Sequence, residues 1–341
     1  MERLCRILGQ RSRGLENTNA EGQVSQIREN DVECKREILF FFFTEYVMCE
    51  IAPDPKTFFP AIEGNLTKIV WAHAVNSQAN LTKALNADDI MMLEGDVMIG
   101  NLTNSNNTNI PIMAHPPDLE SDLSLDEFLS SVLNSTKGVK LDFKSLEAFE
   151  RSKPILAENR KKFTKPLFLN ADILPGPVEA KTVPLDSKSF LTGAMEAFPE
   201  SVLSIGWTTR YGSEFNITEG HYTTEQIQKM IDTLTENKVT QSITYPVRAG
   251  LAANDISAMK TLMDRSSSFG NVTMTIWSSH GDQVDTKKLS ELIKTIGVGK
   301  VYVDVPEDVW KNLDLTSGSS TSNVAMMTAM TLLSFLFARM L

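Results

Sequence analysis

The chain has 341 residues, 42% of them hydrophobic and 22% charged, and a net charge of −10. That length holds one large domain or two ordinary ones, and the balance of residues is that of a globular protein. The acidic excess, with no basic stripe to neutralise phosphates, excludes a nucleic-acid binder.

Residues 1–35 are polar and mixed in charge, without an apolar period, and are expected to be disordered. Residues 36–60 form an apolar, signal-like segment and linker. Lys35 and Arg36 precede a greasy run, Glu45 interrupts it, and no clean Ala-X-Ala site follows. The run is too short to span a bilayer without strain. Cys5, Cys34 and Cys49 all precede the periodic part of the chain, so there is no disulfide framework to find.

From Ile69 onward, short apolar runs alternate with helical patterns. The first four runs are 69–76, 91–97, 110–115 and 138–144, and five more follow at 166–174, 201–209, 241–249, 272–278 and 300–306. Helical patterns cover 76–87, 124–133, 145–162, 223–237, 253–264 and 286–296, the second opening on a Ser-Leu-Asp-Glu capping box. The third run follows the second across an Asn-rich loop with no helix, which predicts a hairpin return. The remaining eight runs make βα units and predict a (β/α)8 TIM barrel over residues 61–315. An open doubly wound sheet is the alternative, but no Gly-X-Gly-X-X-Gly follows any strand.

The first islands carry the chemistry. Glu94 and Asp96 are two apart, as are Lys140, Asp142 and Lys144. On a strand, such residues share a face. Buried charge at that density is costly unless it is paired or holds an ion. In a barrel, active groups sit at the carboxyl ends of strands. Glu94, Asp96 and Asp142 then form an all-oxygen ligand set that suits Mg²⁺, with Ca²⁺ second. His73 and His115 flank them as a general acid and base. Lys144, with Lys140, is placed to stabilise charge on a phosphoryl group. Asn170 and Asp172 share an inward face. Trp207, Tyr245, Arg248 and Trp277 lie near later strand ends, where the aromatic rings suit a head group or core packing and Arg248 suits phosphate. His221 and His280 receive no role.

Taken together, His73-Ala-Val-Asn76, Glu94-Gly-Asp96, His115 and Asp142-Phe-Lys144 resemble the ordered motifs of glycerophosphodiester phosphodiesterase-like barrels. The His-X-Val-Asn form is similar to the sphingomyelinase D of arachnid venoms. From about Ile62 to Leu313 the chain resembles the menorin family, through Trp71–Asn76, Leu169–Pro177 and Leu203–Thr208. The resemblance implies a barrel of the phospholipase-C-like phosphodiesterase type. It also implies Glu94, Asp96 and Asp142 as Mg²⁺ ligands and His73 and His115 as the acid/base pair, with Asn76 near the substrate. Two departures from the glycerophosphodiesterase pattern stand out: no Arg follows His73, and His115 is followed by Pro116-Pro117. Asp142, in place of the usual Glu, is shared with the venom enzymes. The expected substrate is a phosphodiester or lysophospholipid-like small molecule. The alternative is a non-catalytic binding module with a cell-surface protein partner.

Seven Asn-X-Ser/Thr sequons, at Asn65, Asn80, Asn101, Asn106, Asn134, Asn216 and Asn271, point to a glycosylated, secreted or cell-surface protein. Residues 316–341 join a short polar spacer to an apolar tail. This resembles a GPI-attachment signal, with a tail anchor as the second reading of the same membrane association.

Overall fold

The computed structural model describes residues 51–316, apart from Asn104. The expectations for 1–35, for the apolar run within 36–60 and for the tail beyond Thr316 lie outside these residues. Among the described residues, no helix is long and apolar enough to cross a membrane.

Eight parallel strands follow one another around a barrel: β1 (Trp71–Ala72), β2 (Met92–Leu102), β5 (Gly138–Phe143), β6 (Leu167–Leu174), β7 (Val202–Trp207), β8 (Ile243–Arg248), β9 (Val272–Trp277) and β10 (Val301–Asp304). The expected hairpin return is β3 (Ile110–Met113), antiparallel to β2. A two-residue strand that the apolar pattern did not show, β4 (Glu120–Ser121), pairs with the far end of β2. Seven helices of nine or more residues cross between the barrel strands: α1 (Gln78–Asn86), α2 (Leu125–Leu133), α3 (Leu146–Asn159), α4 (Ser187–Ala197), α5 (Thr224–Glu236), α6 (Ile256–Arg265) and α7 (Thr286–Ile296). The Ser124–Glu127 capping box closes as its spacing predicts.

Helix α4 was missed because Gly193 weakens its helical pattern. A Cβ there would stand 2.7 Å from Phe149 Cε1, so the glycine lets α4 approach α3. Its Phe190 and Leu191 are fully buried, and that burial outweighs the propensity cost of about 1 kcal/mol.

Strand β1 is shorter than expected. After His73, Ala74 turns to φ +54°, in the left-handed region, and the N–H of Val75 leaves the ladder for the carbonyl of Glu94 at 2.8 Å. No ladder joins β10 to β1 among the described residues. Side chains close this seam instead. Trp71 and Tyr302 pack edge to face at 6.0 Å, and Phe168 meets both rings. With Ile62, Leu66, Ile69 and Met92 they make an apolar floor.

Strand register then sorts the wall. Met92 pairs with Gly138, Glu94 with Lys140, Asp96 with Asp142, and Asp142 with Asn170. The same alternation brings Asp172, Gly206, Arg248, Trp277 and Asp304 to the inner face at the carboxyl ends. Trp207 and Tyr245 alternate outward, where Trp207 packs 5.2 Å from Tyr222 in the layer between sheet and helices. They belong to the core, not to a head-group site.

Candidate metal centre at the barrel mouth

Glu94 and Asp96 leave β2 on the inner face with Gly95 between them. A Cβ on Gly95 would lie 2.6 Å from Met113 Cε and 3.1 Å from the Val75 carbonyl, so glycine lets the His73–Asn76 turn lie against β2. The N–H of Ala74 donates to Glu94 Oε2 at 2.8 Å and holds that turn. Asn76 and Asp96 exchange two bonds: Asn76 Nδ2 donates to Asp96 Oδ2 at 2.7 Å, and the Asp96 N–H donates to Asn76 Oδ1 at 2.9 Å.

From β5, Asp142 accepts from Asn170 Nδ2 at 2.7 Å, and Asn170 accepts in turn from Ser204 Oγ. Lys144 bridges the two aspartates, 2.7 Å from Asp96 Oδ1 and 2.6 Å from Asp142 Oδ2. Asn76 and Asn170, expected to touch substrate, are thus committed to orienting carboxylates. Outer hydrogen bonds of this kind fix ligand geometry.

One carboxylate oxygen from each of Glu94, Asp96 and Asp142 lies within 4.8 Å of the other two. Burial destabilises the Glu94 carboxylate and pushes its pKa up, only partly offset by His73. Burial works on Asp142 in the same sense, but Lys144 and Lys140 outweigh it and hold Asp142 below the usual range. Burial also opposes the Lys144 ammonium, and Asp142, Asp96 and Glu94 outweigh it and raise its pKa. Three converging carboxylate oxygens form an all-oxygen donor set of the kind that fits a hard divalent cation, with Lys144 already offsetting part of their charge.

His73 Nδ1 lies 3.0 Å from Asp304 Oδ2 and 3.5 Å from Glu94 Oε2. The charge of Glu94 is the main reason that its pKa is raised to about 9, with Asp304 adding and burial opposing. Asp304 was not among the expected site residues. The signal was present in Tyr302-Val-Asp304, the same apolar alternation ending on an acid that marks β2. His115 follows β3. Its neighbour Ala114 donates to the Asp96 carbonyl at 3.0 Å, and its own Nδ1 lies 2.7 Å from the Pro116 oxygen. A carbonyl only accepts, so this Nδ1 carries hydrogen and Nε2 is left for proton exchange.

The cations divide unexpectedly. Arg248 is not free to bind phosphate. Its Nε and Nη2 hold Asp282 at 2.8 Å each, and its guanidinium lies 5.0 Å from the centre of the Trp277 ring. Lys140 is 5% exposed, and no hydrogen bond or ion pair to its ammonium occurs among the described residues. Asp172 is half-buried, its carboxyl has no hydrogen-bond partner among them, and burial, then Asp142, raises its pKa to about 7.

Residues 65–310 match the family model described as the Menorin N-terminal domain. The chain belongs to the menorin family. It is similar to the human protein FAM151B, with 35% identity over 240 residues that cover 70% of this chain and 83% of that protein. The menorin match takes in every barrel strand and all the mouth residues described above.

Proposed function

We propose that this barrel is a divalent-ion-dependent phosphodiesterase or phospholipase D-like lyase acting on an extracellular phosphodiester. The convergence of Glu94, Asp96 and Asp142 beside His73 carries the reading. Mg²⁺ is the favoured ion and Ca²⁺ the second, because all donors are carboxylate oxygens. When bound, such an ion withdraws charge from a phosphoryl oxygen.

The chain's own residues do the rest. Lys140, whose ammonium has no ion-pair partner among the described residues, receives a second phosphoryl oxygen. A hydroxyl oxygen, from water or from the substrate itself, attacks phosphorus as the bond to the leaving oxygen breaks. One of His73 and His115 takes the attacking proton at Nε2, and the other returns a proton to the leaving oxygen. Lys144 keeps Asp96 and Asp142 aligned. Product release from glycerophosphodiesters and lysophospholipids, with and without Mg²⁺, tests the proposal. Turnover that survives His73→Ala combined with His115→Ala would falsify this mechanism.

A non-catalytic, extracellular binding module with a cell-surface protein partner is the second reading. Lys144 favours it, since its ammonium bridges Asp96 and Asp142 and offsets part of their charge without any ion. The location rests on the seven sequons, whose asparagines are exposed or half-buried, and membrane association rests on the apolar tail, read as a GPI signal or tail anchor. Deglycosylation of the secreted chain and release by a GPI-specific phospholipase check these two points.

A further inference from the structure

Most charged groups around the mouth are already paired with one another, and two, among the described residues, are not. Lys140 is a buried ammonium, and Asp172 is a half-buried carboxyl, each without a hydrogen-bond partner among the described residues. They share the inner wall. Asp172 lies two residues beyond Asn170, the register partner of Asp142, on the same face of the sheet.

The position of Asp172 is built rather than incidental. Gly206 is its register partner on β7, and a Cβ there would lie 2.9 Å from Asp172 Oδ1 and 2.8 Å from Pro246 Cγ. Any side chain at 206 would push the carboxyl aside. The β6–β7 ladder shifts register just after Asp172, an irregularity of the kind that re-aims a side chain at a sheet's end. The N–H of Leu185 holds the Asp172 carbonyl at 2.9 Å.

From this arrangement we infer that Asp172 reads the group attached to the phosphate and selects one carrying hydrogen-bond donors, a hydroxyl or a primary ammonium, over a quaternary ammonium. The inference rests on the phosphodiesterase reading, with Lys140 taking the phosphoryl oxygen. In its ionised form the unpartnered carboxylate offers only acceptors and is satisfied only by a donor. A trimethylammonium has none to give. It is held best against an aromatic face, and one face of Trp277 is already covered by the Arg248 guanidinium. Arg248 also packs over Tyr211, at 5.5 Å.

Calorimetric binding of three phosphomonoesters to the Mg²⁺-loaded full chain tests this without requiring turnover. The probes are sn-glycerol 3-phosphate, phosphoethanolamine and phosphocholine, on the wild type and on Asp172→Ala, with Asp172→Asn compared instead if the alanine variant does not fold. The expected result is that both donor-bearing probes bind about 10-fold or more tighter than phosphocholine and that the substitution levels the three. Asp172→Asn, which keeps an acceptor but loses the charge, retains glycerol phosphate better than phosphoethanolamine. Phosphocholine binding as tightly as the others, a preference that persists in the variant, or no binding of any probe overturns the inference. Failure of the phosphodiesterase reading shows separately, as sorting of the monoesters by a protein that releases nothing from the matching diesters.

Discussion

The imidazole of His73 reaches Asp304 at 3.0 Å across the seam where β1 and β10 share no ladder. One contact therefore helps close the barrel and orients a candidate acid/base. Because the folded pKa, about 9, lies above the ordinary 6.5, the stabilisation that protonated His73 gains from Glu94 first and Asp304 second is full below pH 6.5 and is lost as pH rises through 9. Its size is limited by solvent, since 56% of the histidine side chain is exposed. Asp304→Asn removes a negative neighbour, so the His73 midpoint is expected to fall and the loss of melting temperature between pH 6.5 and 9 to shrink. Ring titration by NMR, with His73→Gln to assign the signal, measures this. An unmoved midpoint would take Asp304 out of the account.

Mg²⁺ is expected to raise the melting temperature, in step with stabilisation of about 2.7 kcal/mol at 100 times Kd. Glu94→Gln and Asp142→Asn should each abolish the shift. The ion should also lower the His73 midpoint, because it neutralises Glu94, the main source of the raised value. A thermal shift that is unchanged in both variants would place the ion elsewhere.

Asn76→Ala tests the orientation of Asp96. It leaves the Asp96 N–H and Oδ2 without the partners that hold them at 2.9 and 2.7 Å. The expected cost is about 1–3 kcal/mol of stability and a roughly 10- to 100-fold loss of Mg²⁺ affinity. Denaturant unfolding and ion titration read the two effects separately. Full ion affinity in this variant would mean that Asp96 is not a ligand.

Lys140→Met separates ion binding from phosphate binding, since the two should move in opposite directions. Removing a nearby positive charge tightens Mg²⁺, whereas losing the unpartnered ammonium weakens inorganic phosphate by about 10-fold or more. Parallel losses of both would instead mark a general collapse of the mouth.

The eight-fold repeat, the β2–β3 hairpin and the Glu94, Asp96 and Asp142 set were legible in the sequence, because they follow from local periodicity. Residues two apart on a strand must share a face, and eight apolar runs divided by helical patterns must close or fan. Helix α4 was hidden because its glycine serves a contact with Phe149, distant in the chain. The roles of the polar groups were hidden for the same reason. Arg248 and Asp282 are 34 residues apart and His73 and Asp304 are 231 apart, so nothing local shows that the first pair is closed or that the second exists. The sequence by itself determined which residue types reach the carboxyl ends of the strands. Only the tertiary structure decided which of them pair with one another and which, Lys140 and Asp172 foremost, have no partner among the described residues, because pairing depends on distances across the barrel that no strand contains.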